Sequence, residues 1–205
     1  MKLNQVLLVD AGTGNLRSVY HALEKCNGHP MVTQDAEIIR KSGRIVLPGV
    51  GAFGRFMGGF HQLDLVDALS EVVRRGNPLL GICVGMQAFF ETSQEMGSHP
   101  GLSYLAGSVV RFPVQPGLKV PHTGWNQLFR NKDSALLEGL PDGVFAYFNH
   151  SYYCVPSRIE DILTITDHGV NFASMVQHQN IYGVQFHPEK SQRVGLTLLK
   201  NFISL

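Results

Sequence analysis

The stretch Leu79-Leu80-Gly81-Ile82-Cys83-Val84-Gly85-Met86-Gln87 runs an apolar strand straight into a helix through a cysteine flanked by glycines. Its Gly81-x-Cys83-x-Gly85 core is a cysteine version of the nucleophile elbow. The glycines have a steric cause: a turn this sharp leaves no room for side chains beside the nucleophile. The turn lifts the sulfur above the strand ends, into the crevice where open α/β sheets bind ligands. The helix that follows begins at the sulfur, and its N-terminal dipole favours thiolate over thiol. The plain alternative is a buried cysteine in an ordinary strand-to-helix turn.

Upstream of the elbow the same alternation repeats. Gln5-Val6-Leu7-Leu8-Val9-Asp10 and Arg44-Ile45-Val46-Leu47 read as buried strands, and Met31-Val32-Thr33 as a weaker one. Asn15 stands where it can cap a helix through Leu16, Val19, Ala22 and Leu23. A short helix is expected around Ala36 to Lys41. Leu63, Val66, Leu69, Val72 and Val73 place another helical stripe that stops at Gly76-Asn77-Pro78. After the elbow, Met86 to Glu91 reads as helix. Continuous apolar strands alternating with helices predict a mostly parallel sheet covered on both faces. Beyond about residue 100 the pattern turns strand-rich, at 109–112, 143–148, 162–165, 172–176 and 181–186, before a final helix from Gln192 through Phe202. This half is expected to extend the same sheet in mixed or antiparallel fashion. The whole, residues 1–205, reads as a single α/β domain.

Composition narrows the function classes. Of 205 residues, 44% are hydrophobic and 16% charged, which excludes a disordered chain. Lys plus Arg is 17 and Asp plus Glu 16, a net charge of +1, so the basic footprint of a nucleic-acid binder is missing. Apolar runs such as Val6 to Val9 fall far short of the roughly 18 residues of a membrane helix. The opening Met1-Lys2-Leu3-Asn4-Gln5 lacks a signal-peptide pattern. Cys26, Cys83 and Cys154 are an odd set with no CxxC spacing, the usage of reduced thiols in a cytoplasmic protein.

Two further segments carry chemistry. In Gly183-Val184-Gln185-Phe186-His187-Pro188-Glu189 a strand delivers a histidine at its end, with a glutamate two positions on. A cysteine nucleophile needs a nearby base, and the base needs an acceptor to orient it. Cys83, His187 and Glu189 would make that set; His178 is the next candidate base. Pro48-Gly49-Val50-Gly51-Ala52-Phe53-Gly54 follows another strand and can turn bare backbone N–H groups inward. With the N–H of Val84, such a loop could supply an oxyanion hole. A phosphate loop is the alternative for it, but neither G-x-x-x-x-G-K-[ST] nor G-x-G-x-x-G is present.

Pro48-Gly49-Val50-Gly51, Gly81 to Gln87 and His187-Pro188-Glu189, in this order and spacing, resemble the class I (triad) glutamine amidotransferases over essentially the whole chain. Gly14-Asn15-Leu16-Arg17-Ser18-Val19, Pro121-His122-Thr123-Gly124-Trp125-Asn126, Tyr147 to Tyr153 and His187 to Gln192 are similar to the glutaminase subunits that serve imidazole glycerol phosphate synthases. Three positions depart from that pattern: Ala11 replaces a common aromatic, Thr123 a common methionine, and Asn149 an apolar residue.

The resemblance implies hydrolysis of glutamine to glutamate and ammonia by Cys83, His187 and Glu189. It implies an oxyanion hole from the backbone of Val50, Gly51 and Val84, with Gln87 and backbone near Gly49, Gly51, Ser151 and Tyr152 holding the substrate. It also implies a heterodimer with a separate (β/α)₈-barrel cyclase subunit, fed with ammonia for histidine biosynthesis, with Asn15, Trp125 and Lys190 at the contact. No metal or organic cofactor is implied, and the chain shows no acceptor-nucleotide pocket of its own. The competing readings are a glutaminase subunit of another synthase and a non-catalytic redox sensor of the same architecture. An oxidation sensor has no use for a base and an oriented carboxylate.

Overall fold

The computed structural model describes residues 4–205; Met1 to Leu3 of the opening segment lie outside the described residues. The parallel half forms as its apolar runs predict. β1 (Gln5–Val9), β2 (His29–Thr33), β3 (Ile45–Gly49) and β4 (Leu79–Cys83) pair side by side and parallel. β3 and β4 are buried along their whole length, as strands between two helical layers must be. The helices are α1 (Leu16–Lys25), α2 (Ala36–Arg40), α3 (Phe53–Gln62) and α4 (Leu65–Arg74).

Beyond β4 the chain adds β13 (Ile181–Val184), again parallel. From there the sheet turns antiparallel through β12 (Asn171–His178), β11 (Ile162–Asp167), β8 (His122–Arg130) and β9 (Val144–His150). The nine-stranded order is β2-β1-β3-β4-β13-β12-β11-β8-β9. α6 (Gln192–Ser204) closes the chain, burying Leu198, Leu199 and Phe202.

Several sequence expectations need correction. The helix after the elbow, α5, spans only Val84–Gln87, and Phe90–Ser93 is a strand, β5. The helical pattern over 86–91 yields because the backbone from Ala88 to Glu91 accepts hydrogen bonds from Gly101, Leu102, Tyr104 and Leu105. The strand-rich half is also not all one sheet. β5, β6 (His99–Pro100), β7 (Leu105–Arg111) and β10 (Tyr152–Pro156) form a second, four-stranded sheet in the order β10-β7-β5-β6. The glycine-rich segment after Pro48 becomes helical from Phe53, so α3 precedes the predicted stripe, which belongs to α4. Asn15 occupies the N-cap position of α1, but its side chain makes no capping hydrogen bond.

Candidate active site

Register places the three motifs together. Gly49 is the direct partner of Cys83 across β3 and β4, and Val184 is the partner of Ile82 across β13 and β4. Three strands therefore end at one edge of the sheet, and the residues that follow them face one another. Together with Tyr152 and its neighbours they line a cavity of about 150 Å³ that contains Val50, Gly51, Cys83, Val84, Gln87 and His187.

The elbow is sterically tight. Cys83 holds φ 54° and ψ −111°, a left-handed backbone that costs energy in an L-residue. A Cβ on Gly81 would lie 2.6 Å from the Gly85 carbonyl oxygen, and one on Gly85 would lie 1.9 Å from the Leu47 carbonyl oxygen. Both glycines are therefore required by close backbone approach. The thiol of Cys83 is buried at the cavity floor, where α5 begins.

His187 reaches the same floor from beyond β13. Its Nδ1 lies 3.0 Å from Glu189 Oε1, and both side chains are almost fully buried. A carboxylate only accepts, so Nδ1 carries the hydrogen and Nε2 is left for Cys83. Burial works to lower the His187 pKa. The hydrogen bonds and charges of Cys83 and Glu189 together outweigh it, and push the imidazole up to about 10. The imidazole is thus held in its protonated form beside the Cys83 sulfur. Ser191 locks the backbone here: its hydroxyl donates to the His187 carbonyl at 2.7 Å and accepts from Tyr147 N at 3.0 Å. His178, the other candidate base, lies at the opposite edge of the sheet. It pairs with Ile181, which pairs with Leu79 four residues before Cys83, and its Nδ1 binds Asp161 at 2.9 Å.

The sequence and the fold are similar to those of known proteins. The family description glutamine amidotransferase class-I matches residues 7–205. The chain belongs to the class I glutamine amidotransferases. A relative from Aquifex aeolicus named imidazole glycerol phosphate synthase subunit HisH is 47% identical over 200 residues, covering 97% of this chain and 95% of the relative. A protein of the same name from Moorella thermoacetica is 48% identical over 201 residues, covering 98% and 94%. Among solved structures, that of PurLQS from Thermotoga maritima superposes with a TM-score of 0.75 at 17% identity, covering 98% of this chain and 97% of that one. Another solved structure, of a glutamine amidotransferase, gives 0.73 at 18%, covering 97% and 99%. At these identities the two structures share the amidotransferase fold.

Within this amidotransferase the remaining expected residues fall as follows. Gln87, Ser151 and Tyr152 line the cavity, and Gln87 Nε2 donates to the Tyr152 carbonyl at 3.0 Å. Gly49 is set back from it, where a Cβ would come within 2.6 Å of Gly85 N and 2.7 Å of the Phe56 ring. Gly51 has φ +87° and open space around its Cβ position. Lys190 is at the rim, its ammonium 5.6 Å from the Tyr147 ring, and Trp125 meets the same ring edge-on at 6.1 Å. Asn15 stands at the start of α1, next to Gly14, whose Cβ position lies 3.2 Å from the Pro48 carbonyl oxygen. The departures Thr123 and Asn149 are cross-strand partners joined by a 3.1 Å hydrogen bond.

Three residues at or beside the cavity were not singled out from the sequence. Glu95 accepts from Phe53 N at 2.6 Å, tying the cavity wall to the start of α3 just past the glycine loop. His150 lines the wall beside Ser151. Gln185 is fully buried, its Nε2 3.6 Å from Cys83 Sγ. No group of three or more His, Cys, Asp or Glu among the described residues is arranged to hold a metal.

Proposed function

We propose that this chain is the glutaminase subunit of imidazole glycerol phosphate synthase in histidine biosynthesis, using Cys83, His187 and Glu189 as its catalytic triad. Family membership and full-length identity of 47% and 48% to subunits of that name support the assignment. The observation that carries the chemistry is the buried Cys83–His187–Glu189 line at the floor of a cavity small enough for one amino acid.

The Cys83 thiolate attacks the side-chain amide carbon of glutamine, the carbonyl π electrons move onto oxygen to give a tetrahedral oxyanion, and its collapse re-forms the carbonyl and breaks the C–N bond. Backbone N–H groups of Val84 and of the Val50–Gly51 loop receive that charge. Val84 begins a helix, so its N–H has no intrahelical partner and is available. The His187 imidazolium protonates the departing nitrogen, which leaves as ammonia. The γ-glutamyl thioester on Cys83 is then cleaved by a water that His187 deprotonates, releasing glutamate and restoring the thiolate. Glu189 holds the imidazole in the tautomer this shuttle needs. Gln87 and the backbone near Gly51, Ser151 and Tyr152 hold the amino-acid end of the substrate.

Ammonia released into water is protonated and lost, so an acceptor site must be coupled to this cavity. The partner is a cyclase of (β/α)₈-barrel fold that forms a heterodimer with this chain. The outer face of β8 and β9 is the docking surface the residues favour. Thr123, Trp125, Gln127 and Phe129 alternate onto it opposite Asn149, Tyr147 and Phe145. Trp125, Phe129 and Phe145 are each about half exposed there, beside Lys190 at the cavity rim. Three unpaired cysteines fit a cytoplasmic setting, and no described helix is long and apolar enough to cross a membrane. The test is ammonia release from glutamine by the chain with its cyclase partner. Cys83→Ala should abolish it, while ammonium salt fed to the same complex should still support cyclase product. Wild-type glutamine turnover in Cys83→Ala would remove the triad assignment.

A further inference from the structure

Hydrogen-bond directions around the cavity can be assigned one after another, starting on the inner face of β8. Asn126 Nδ2 lies 2.8 Å from the Asp167 carbonyl, which only accepts, and its Oδ1 receives Gln127 N at 2.8 Å. The amide orientation is therefore fixed, and its second N–H faces His122 Nε2 at 3.2 Å. His150 Nδ1 lies 2.7 Å from the Tyr152 carbonyl, so it must carry a hydrogen. Burial pulls His150 down to about 3 and His122 to about 4, so both rings are neutral at physiological pH. A neutral ring with Nδ1–H offers Nε2 as acceptor, and His122 Nδ1 fills it at 3.0 Å. Every polar atom in this row then has one consistent role.

The Tyr152 carbonyl, which His150 holds in place, only accepts and so orients the catalytic floor. It receives Gln87 Nε2 as well as His150, so the Gln87 amide is oriented with nitrogen toward it. The other N–H of Gln87 reaches Gln185 at 3.1 Å, which obliges Gln185 to present its oxygen. Its Nε2 is thereby turned toward Cys83 Sγ.

We propose that Gln185 is a further catalytic residue whose side-chain N–H stabilises the Cys83 thiolate, and that His122 and His150 are positioning residues that fix the place of the Tyr152 carbonyl on which the Gln87 and Gln185 amides are aligned. The proposal rests on the glutaminase reading and adds to it a neutral donor to the sulfur, on top of the charge of His187. A buried thiolate that lacks a hydrogen-bond donor is costly, and Gln185 supplies one. The titratable groups facing the sulfur are His187 and, from β10, Cys154, whose thiol is pushed upward by burial and by Cys83.

The test reads thiolate character directly, as the rate of Cys83 alkylation by iodoacetamide from pH 5 to 9, followed by mass spectrometry on the full chain. Gln185→Met keeps volume and removes the donor. It should slow Cys83 alkylation at pH 7 by about 10- to 100-fold, the range for a hydrogen bond to a charged group, and move the rate curve to higher pH. kcat for glutamine in the cyclase complex should fall with it. His150→Leu should slow alkylation about 2- to 10-fold, the range for a neutral bond, and His150→Asn, whose amide can still donate to Tyr152, should recover it. A folded Gln185→Met protein with the wild-type alkylation curve overturns the proposal. If that variant does not fold, identical curves for His150→Leu and wild type overturn it instead. Failure of the wild-type complex to release ammonia would reject the glutaminase reading, and the alkylation curves would still decide the role of Gln185.

Discussion

Replacing Gly85 with alanine adds one methyl group at the tightest point of the nucleophile elbow. The new Cβ would stand 1.9 Å from the Leu47 carbonyl oxygen and 3.0 Å from its carbon. Contacts below 3.0 Å are essentially unknown for a Cβ, so the elbow and β3 must separate by at least 1.1 Å, the difference between 3.0 and 1.9. Neither side can yield by rotating a side chain, because both groups are backbone. Leu47 sits mid-strand, paired with Gly81, and α5 carries the Val84 N–H proposed as an oxyanion donor. Overpacking of this kind costs about 1–3 kcal/mol of stability. A displacement near 1 Å at a reacting group costs about 10²-fold in rate. The assay is glutamine turnover in the cyclase complex, alongside urea unfolding of the free chain. Gly58→Ala is the control: it lies in α3 with nothing within 4 Å of its Cβ position. It should keep turnover and match or raise stability, by up to about 1 kcal/mol. Gly85→Ala with wild-type turnover and unfolding midpoint would refute the steric account of the elbow.

His187→Asn should lower glutamine turnover by about 10²–10⁴-fold, and Glu189→Gln by less, since His187 would remain but be poorly held; steady-state kinetics of the complex reads both, and negligible losses at both would point to another base. The raised pKa of His187 also predicts a pH dependence. Its protonated form contributes stability that is complete below about 6.5 and disappears as pH rises toward about 10. The unfolding free energy of wild type relative to His187→Asn should therefore shrink between those limits, and a flat difference across pH 6 to 10 would contradict it. Gly51→Val should reduce activation of hydrolysis by acceptor-loaded cyclase far more than it reduces cyclase binding. Only Gly51 of the two loop glycines combines a positive φ with open space that lets its peptide turn, and one lost oxyanion donor is worth about 10²–10³ in rate. Equal loss of binding and activation would remove the loop as a gate.

Cys83, His187 and Glu189 could be picked out as candidates in the sequence because each lies in a short motif whose cause is local. Gly81 and Gly85 announce a turn with no room for side chains, and Pro48-Gly49-Val50-Gly51 and His187-Pro188-Glu189 each follow an apolar strand. The parallel half was legible for a similar reason, since strands buried on both faces are continuous runs of Val, Ile and Leu. Tertiary structure decided the rest. Phe90–Ser93 became a strand although the pattern before it is helical, because its pairing partner at Leu105–Arg111 is set by the loop between them and not by the segment's own periodicity. The split into two sheets has the same origin, as β10 leaves β9 after a single residue to join β7. Glu95 carries no local signature, and His150 and Gln185 lie inside short motifs that do not say what their side chains meet. Gln185 meets Cys83 102 positions away, and His150 meets His122 28 positions away. Such contacts arise from the order in which strands are laid into a sheet, and that order is settled by packing of the whole core, which no window of sequence contains.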